Sequence, residues 1–185
     1  MRKAVYSMQV SLDGYVARSD EDIGMEPDEE LHRYANEQAG EAGAFLYGRK
    51  LYELMHAYWP TADQSPDASE VEAEFARAYR DTPKVVVSRT LEEVGENCRL
   101  VKEDLAGEVA RLKEEPGGDL QVGGPGLAAS LIELDLIDAY EMWVHPVALG
   151  GGKPFFPAGR PLDLELADTR TFGSGVVLLR YERAA

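Results

Sequence analysis

Three short stretches of this chain place glycine or basic residues where an expected strand gives way to an expected helix or turn, and each could hold an anion. The clearest is Val122-Gly123-Gly124-Pro125-Gly126-Leu127. Glycine lets a backbone approach a pyrophosphate closely, and the first turn of a helix offers unpaired N–H groups and the positive end of its dipole. The same cluster also suits a tight turn that needs glycine only for its dihedral angles, and the local pattern does not choose between the two. The second stretch is Gly48-Arg49-Lys50. Two basic residues at a helix start oppose the dipole unless an anion sits there. A solvated surface pair is the plainer reading. The third is Ser88-Arg89-Thr90, directly after the run Val85-Val86-Val87. Ligands of open α/β sheets bind beyond the carboxyl ends of strands, and an arginine there can grip a phosphate through two parallel hydrogen bonds. A turn cap beside an exposed arginine is the alternative. Taken together in one acidic chain, the three point to a dinucleotide carrying an extra phosphate.

Other chemistry finds little support. His32, His56 and His145 show no ligand spacing with one another or with Cys98, so no metal site is expected. His145, beside Pro146, reads as structural. No G-x-S-x-G elbow occurs. Asp20-Glu21-Asp22 and Glu114-Glu115 read as solvated, and Trp59 and Trp143 as packing residues, although Trp59-Pro60 closes a loop that could border a ligand. Gly124 to Ala129 matches G-x-G-x-x-G/A, but it lies late in the chain and lacks the ribose-binding acid after the next strand. A nicotinamide dehydrogenase built on that fingerprint is therefore set aside.

The elements that must position these residues follow from periodicity. Residues 3–10 read as a strand, followed by a polar loop that turns at Asp13-Gly14. Acidic residues after Pro27 open a helix. Residues 44–47 form a short buried strand ending at Gly48, and 49–58 a helix with Leu51, Leu54 and Met55 on one side. The stretch 59–69 reads as a surface loop. Val71, Phe75 and Tyr79 recur at helical spacing. Lys84 to Ser88 is continuous and β-branched, as in a strand covered on both faces. A helix over 103–114 stops at Pro116-Gly117-Gly118, a strand at 119–122 leads into the glycine cluster, and a helix follows. Residues 137–149 read as a long strand, GGGKPFFP as a loop, and 161–169 and 176–183 as two closing strands. Alternation followed by an all-strand end predicts a mostly parallel central sheet with an antiparallel C-terminal edge and helices on both faces, an α/β fold in one domain over 1–185.

Bulk properties narrow the partners. The chain has 185 residues, 44% of them hydrophobic, and a net charge of −15. That charge repels nucleic acid and anionic membranes, so neither is an expected partner. It also means that a phosphate site must be built locally. No apolar run approaches the roughly 20 residues that span a bilayer, and the N-terminus reads as a strand, not a signal peptide. A single cysteine suits a reducing compartment, and a cytoplasmic location is expected.

With these residues in view, the chain resembles the dihydrofolate-reductase-like superfamily, and is similar in particular to the C-terminal reductase domain of bifunctional riboflavin-biosynthesis deaminase-reductases. The landmarks run nearly end to end: Ser11-Leu12-Asp13-Gly14-Tyr15-Val16-Ala17, Gly48-Arg49-Lys50-Leu51-Tyr52-Glu53, Val86-Val87-Ser88-Arg89-Thr90, Val122 to Gly126, Leu136-Ile137-Asp138, and Leu149 to Phe156. The resemblance implies a three-layer fold and NADPH as cofactor. It implies that Arg49 and Lys50, following Gly48, face the phosphates, and that Ser88 and Arg89 face the adenosine 2′-phosphate. Gly123, Gly124, Gly126 and Leu127 would carry the pyrophosphate and ribose, and Val16 and Ala17 would approach the nicotinamide. Asp13 is a candidate for proton delivery or substrate binding, or else a turn residue. The implied reaction is hydride transfer to a small heterocyclic (pyrimidine- or pterin-like) or carbonyl substrate, akin to 5-amino-6-(5-phosphoribosylamino)uracil reduction, in a homodimer. The alternative is a non-catalytic, homo-oligomeric nucleotide- or ligand-binding protein on the same fold. Leu51 stands where the family usually has threonine, Pro125 where a third glycine is common, and Tyr15 where the riboflavin reductases have lysine.

Overall fold

In the computed structural model, which describes residues 1–18 and 25–184, strands and helices alternate along most of the chain before an all-strand end. The order is β1 (Ala4–Ser11), β2 (Tyr15–Ala17), α1 (Glu29–Glu41), β3 (Ala44–Gly48), α2 (Arg49–Tyr58), a 3₁₀ helix (Trp59–Gln64), α3 (Glu70–Asp81), β4 (Lys84–Val87), β5 (Cys98–Val101), α4 (Leu105–Glu114), β6 (Leu120–Gly123), α5 (Pro125–Glu133), β7 (Ala139–His145), β8 (Lys153–Pro154), β9 (Leu164–Thr171) and β10 (Val177–Arg183). The acidic run Asp20-Glu21-Asp22 lies outside the described residues.

The main sheet has eight strands in the order β5-β4-β3-β6-β1-β7-β10-β9. The first six are parallel, and β10 and β9 close it antiparallel. Side chains alternate between the faces along each strand. Phe45, Tyr47 and Val86 pack with Ala39 of α1, Tyr52 of α2 and Tyr79 of α3 on one face. Ala44, Leu46, Val85 and Val122 pack with α4 and α5 on the other. Leu131 and Ile132 of α5 are almost wholly buried, and each such side chain contributes about 1.5–3 kcal/mol.

Helix starts divide into two kinds. Asp28, Ser69 and Asp104 cap α1, α3 and α4 with a side-chain oxygen, Ser69 within a capping box with Glu72. Helices α2 and α5 begin instead at Gly48 and Gly124, with no side-chain cap.

Some expectations need correction. Residues 59–64, read as loop, form the 3₁₀ helix. Pro60 fits its first turn, and Arg80 holds it through the Asp63 carboxylate (2.7 and 2.8 Å) and the Pro60 carbonyl (3.0 Å). β5 went unpredicted because it is a four-residue edge strand lying half open to solvent. β2 and β8, within stretches read as loops, pair with each other in a small antiparallel ribbon.

Candidate functional site: two cavities meeting at the carboxyl end of the sheet

Because β3 and β6 are neighbours, with Tyr47 opposite Gly123, the starts of α2 and α5 lie side by side. Gly124 has φ +96°, a conformation that side chains rarely adopt, and its N–H donates to Met8 Sδ at 3.3 Å. Pro125 has no N–H, so Gly126 and Leu127 supply the amides of this turn. A Cβ on Gly126 would meet open space. These two helix starts line a cavity of about 640 Å³ together with Arg49, Lys50 and Leu51. Its far wall is Val16 and Ala17 of β2 with Lys153 and Pro154 of β8. Gly152 (φ +136°) lets those two segments pass closely, since a Cβ there would collide with the Ala17 carbonyl.

The structure thus brings Val16, Ala17, Gly48, Arg49, Lys50, Leu51, Gly124, Pro125, Gly126 and Leu127 around one cavity. Gly123 instead lines the adjoining cavity described below, and a Cβ there would sit 2.5 Å from Leu51 Cδ2 and 3.1 Å from the Tyr47 ring. Ser88 and Arg89 do not line this cavity. Ser88 is buried at the end of β4, where its Oγ accepts from the Thr90 and Leu91 amides, while Arg89 is exposed. Arg49 joins the two loops, donating to Thr90 Oγ1 at 2.8 Å, and its Nε pairs with Glu53 at the same distance.

Asp13 fastens loops together. Its carboxylate accepts from Ser11 Oγ (2.6 Å) and from the amides of Leu149 (3.0 Å) and Gly150 (2.7 Å). These bonds, Ser11's first, hold its pKa down at about 2. Ser11 Oγ in turn accepts from the Tyr15 amide. In this geometry Asp13 ties the turn after β1 to residues 149 and 150. His145 is buried beside these loops with Nε2 unpartnered, and burial lowers its pKa. It lines neither cavity.

A second cavity, about 900 Å³, opens next to the first on the α1–α2 side of the sheet. Ser7 and Gln9 of β1, Gln121 of β6 and Trp143 of β7 form its strand wall. Trp143 Nε1 donates to Ser7 Oγ at 2.9 Å. Met8, Val16, Leu51 and Leu54 line both cavities. Sequence reasoning missed Met8, Gln9 and Gln121 and took Trp143 for packing, since only the parallel pairing of β6, β1 and β7 gathers them. The alternation in β1, which puts Ser7 and Gln9 on the face opposite Tyr6, was the one available signal. Among the described residues, no group of three or more His, Cys, Asp or Glu side chains is arranged to hold a metal ion, and no helix is long and apolar enough to cross a membrane.

Comparison with known proteins places this arrangement. The chain is 32% identical to YyaP, an uncharacterized Bacillus subtilis protein, over 97% of this chain and 94% of that one. A second B. subtilis protein, YwjB, is 28% identical over 99% of each. Among solved structures, a Shewanella protein described as a riboflavin biosynthesis protein superposes with a TM-score of 0.74 at 21% identity, over the whole of both chains. The Thermotoga maritima deaminase/5-amino-6-(5-phosphoribosylamino)uracil reductase gives 0.68 at 16%, covering 99% of this chain and 57% of that enzyme. Dihydrofolate reductase of Enterococcus faecalis, complexed with NADP(H), gives 0.66 at 12%, over 99% and 97%. These structural likenesses establish the dihydrofolate-reductase-like fold. The RibD C-terminal domain family model matches residues 2–178, and the chain belongs to that family.

Proposed function

We propose that the protein is an NADPH-dependent reductase of a small organic substrate. The observation that carries this reading is the seam of Met8, Val16, Leu51 and Leu54 shared by two adjoining cavities, one lined in part by Arg49, Lys50 and Lys153 and the other, among the described residues, by no cation. Both volumes lie within the roughly 300–1,000 Å³ of small-ligand sites. The residues fit the cofactor: two helix starts lack side-chain caps, and the space beside Gly126 is open. In this reading the Gly126 and Leu127 amides hold the pyrophosphate. Arg49 and Lys50 neutralise its charge, with Arg49 exchanging Glu53 for phosphate. Ser88 and Arg89 receive the 2′-phosphate across the Arg49–Thr90 contact. Val16 and Ala17, which line the same cavity, would border the nicotinamide.

When bound, the reduced nicotinamide supplies a hydride to an electrophilic carbon of a C=N or C=O group and is thereby oxidised. Val16, Met8 and Leu51 on the seam would keep water from that contact and fix the face presented. Asp13, fastened as a carboxylate, is left to order the loops, and water delivers the proton to the substrate's heteroatom. The reading includes a cytoplasmic homodimer. The exposed edge strand β9 is a surface on which a second copy could pair.

The test is cofactor binding. NADPH is expected to bind more tightly than NADH, and Arg89→Ala to weaken NADPH about tenfold or more, the value of one to two charge-assisted hydrogen bonds. NADH binding should hardly change. Equal losses for both cofactors would remove the 2′-phosphate assignment, and no binding of either would remove the reductase reading.

A further inference from the structure

The second cavity has a polar character of its own. Among the described residues no Arg, Lys or His lines it. Its polar groups are the carboxamides of Gln9, Gln38 and Gln121, the Ser7 hydroxyl and the acid Glu26; the rest is apolar or aromatic. Ser7 is already engaged by Trp143. Gln9 Oε1 is sealed from solvent and accepts no hydrogen bond from the protein. A buried acceptor left unpaired is costly, and a ligand donor would recover that cost. A phosphate or carboxylate brought here would meet no counter-charge, in a chain of net charge −15.

From this we infer that the second cavity takes an uncharged, unphosphorylated planar molecule that donates an N–H or O–H to Gln9 Oε1. The inference rests on the reductase reading for the ligand's role as substrate. It separates this protein by substrate class from a reductase of a phosphoribosyl compound. Gln9 sets specificity by requiring a donor, and the cation-free wall sets it by rejecting phosphate.

Calorimetric titration of the full chain tests this with two matched pairs: neopterin against neopterin 3′-phosphate, and uridine against uridine 5′-phosphate. Salt of about 0.3 M screens long-range repulsion. A neutral member is expected to bind at least tenfold more tightly than its phosphate. Gln9→Leu, similar in volume, should weaken that binding about tenfold without lowering the melting temperature, since it removes an unpaired buried acceptor. Leu54→Arg, at an exposed position on the shared seam, should narrow or reverse the preference. This second variant keeps the test decisive if Gln9→Leu fails to fold. The inference is overturned if a phosphorylated member binds the native chain as well as its neutral partner. It is equally overturned if neither neutral probe binds at millimolar concentration, or if Gln9→Leu binds the neutral probe unchanged. NADPH titration of the same sample reads the other proposal separately: a neutral probe that binds where NADPH does not would sink the cofactor and leave this inference standing.

Discussion

At Asp13 three hydrogen-bond donors converge on one carboxylate. Its three donors depress its pKa to about 2, below the ordinary value near 4 that it regains on unfolding. A depressed carboxylate favours the folded loops above the unfolded value, and that contribution is lost as pH falls from about 4 toward 2. Asp13→Asn is therefore expected to unprotect the Leu149 and Gly150 amides in hydrogen exchange at neutral pH. It should also flatten the acid dependence of their protection in that window. Unchanged exchange in the variant would mean that the loops are held by other contacts. At this scale the sequence was only half legible. Ser11-Leu12-Asp13-Gly14 is visible as a turn, but the Leu149 and Gly150 amides that make Asp13 a fastener lie more than 130 residues away.

At the scale of elements, what matters is how a helix begins. Three helices satisfy their first amides internally, and the two that start at the cavity do not. Gly126→Ala separates fold from function here. The added methyl meets no neighbour in the protein, and Gly→Ala within a helix favours folding by about 0.4–1 kcal/mol. The melting temperature without ligand is expected to hold or rise slightly, while NADPH affinity falls because the methyl stands where the pyrophosphate must approach. A variant that keeps full affinity would place the phosphates elsewhere. This layer was the most readable in the sequence, because a strand, a glycine cluster and a helix are consecutive residues. What escaped were the short pieces. β2 and β8 have three and two residues, too few for alternation to register, yet Val16, Ala17, Lys153 and Pro154 wall the cavity.

Across the whole molecule, alternation and the all-strand tail were enough to predict a mostly parallel sheet with an antiparallel edge, because each βα crossover is local. The strand order was not predicted, and the second cavity depends on it. β6 enters between β3 and β1, and only then do Gln121, Gln9 and Trp143 face one space. That sheet order also leaves Met8, Val16, Leu51 and Leu54 as a common wall, with a thermodynamic consequence. A molecule in either cavity borders the same four apolar side chains, so filling one cavity is expected to bias the rotamers that the other meets. The two binding equilibria should then be linked, each ligand changing the other's affinity by the same factor. Titrating neopterin with and without saturating NADPH, and NADPH with and without neopterin, should give two equal ratios different from one. Ratios of one in both directions would mean that these side chains do not respond to either ligand and that the two cavities bind independently.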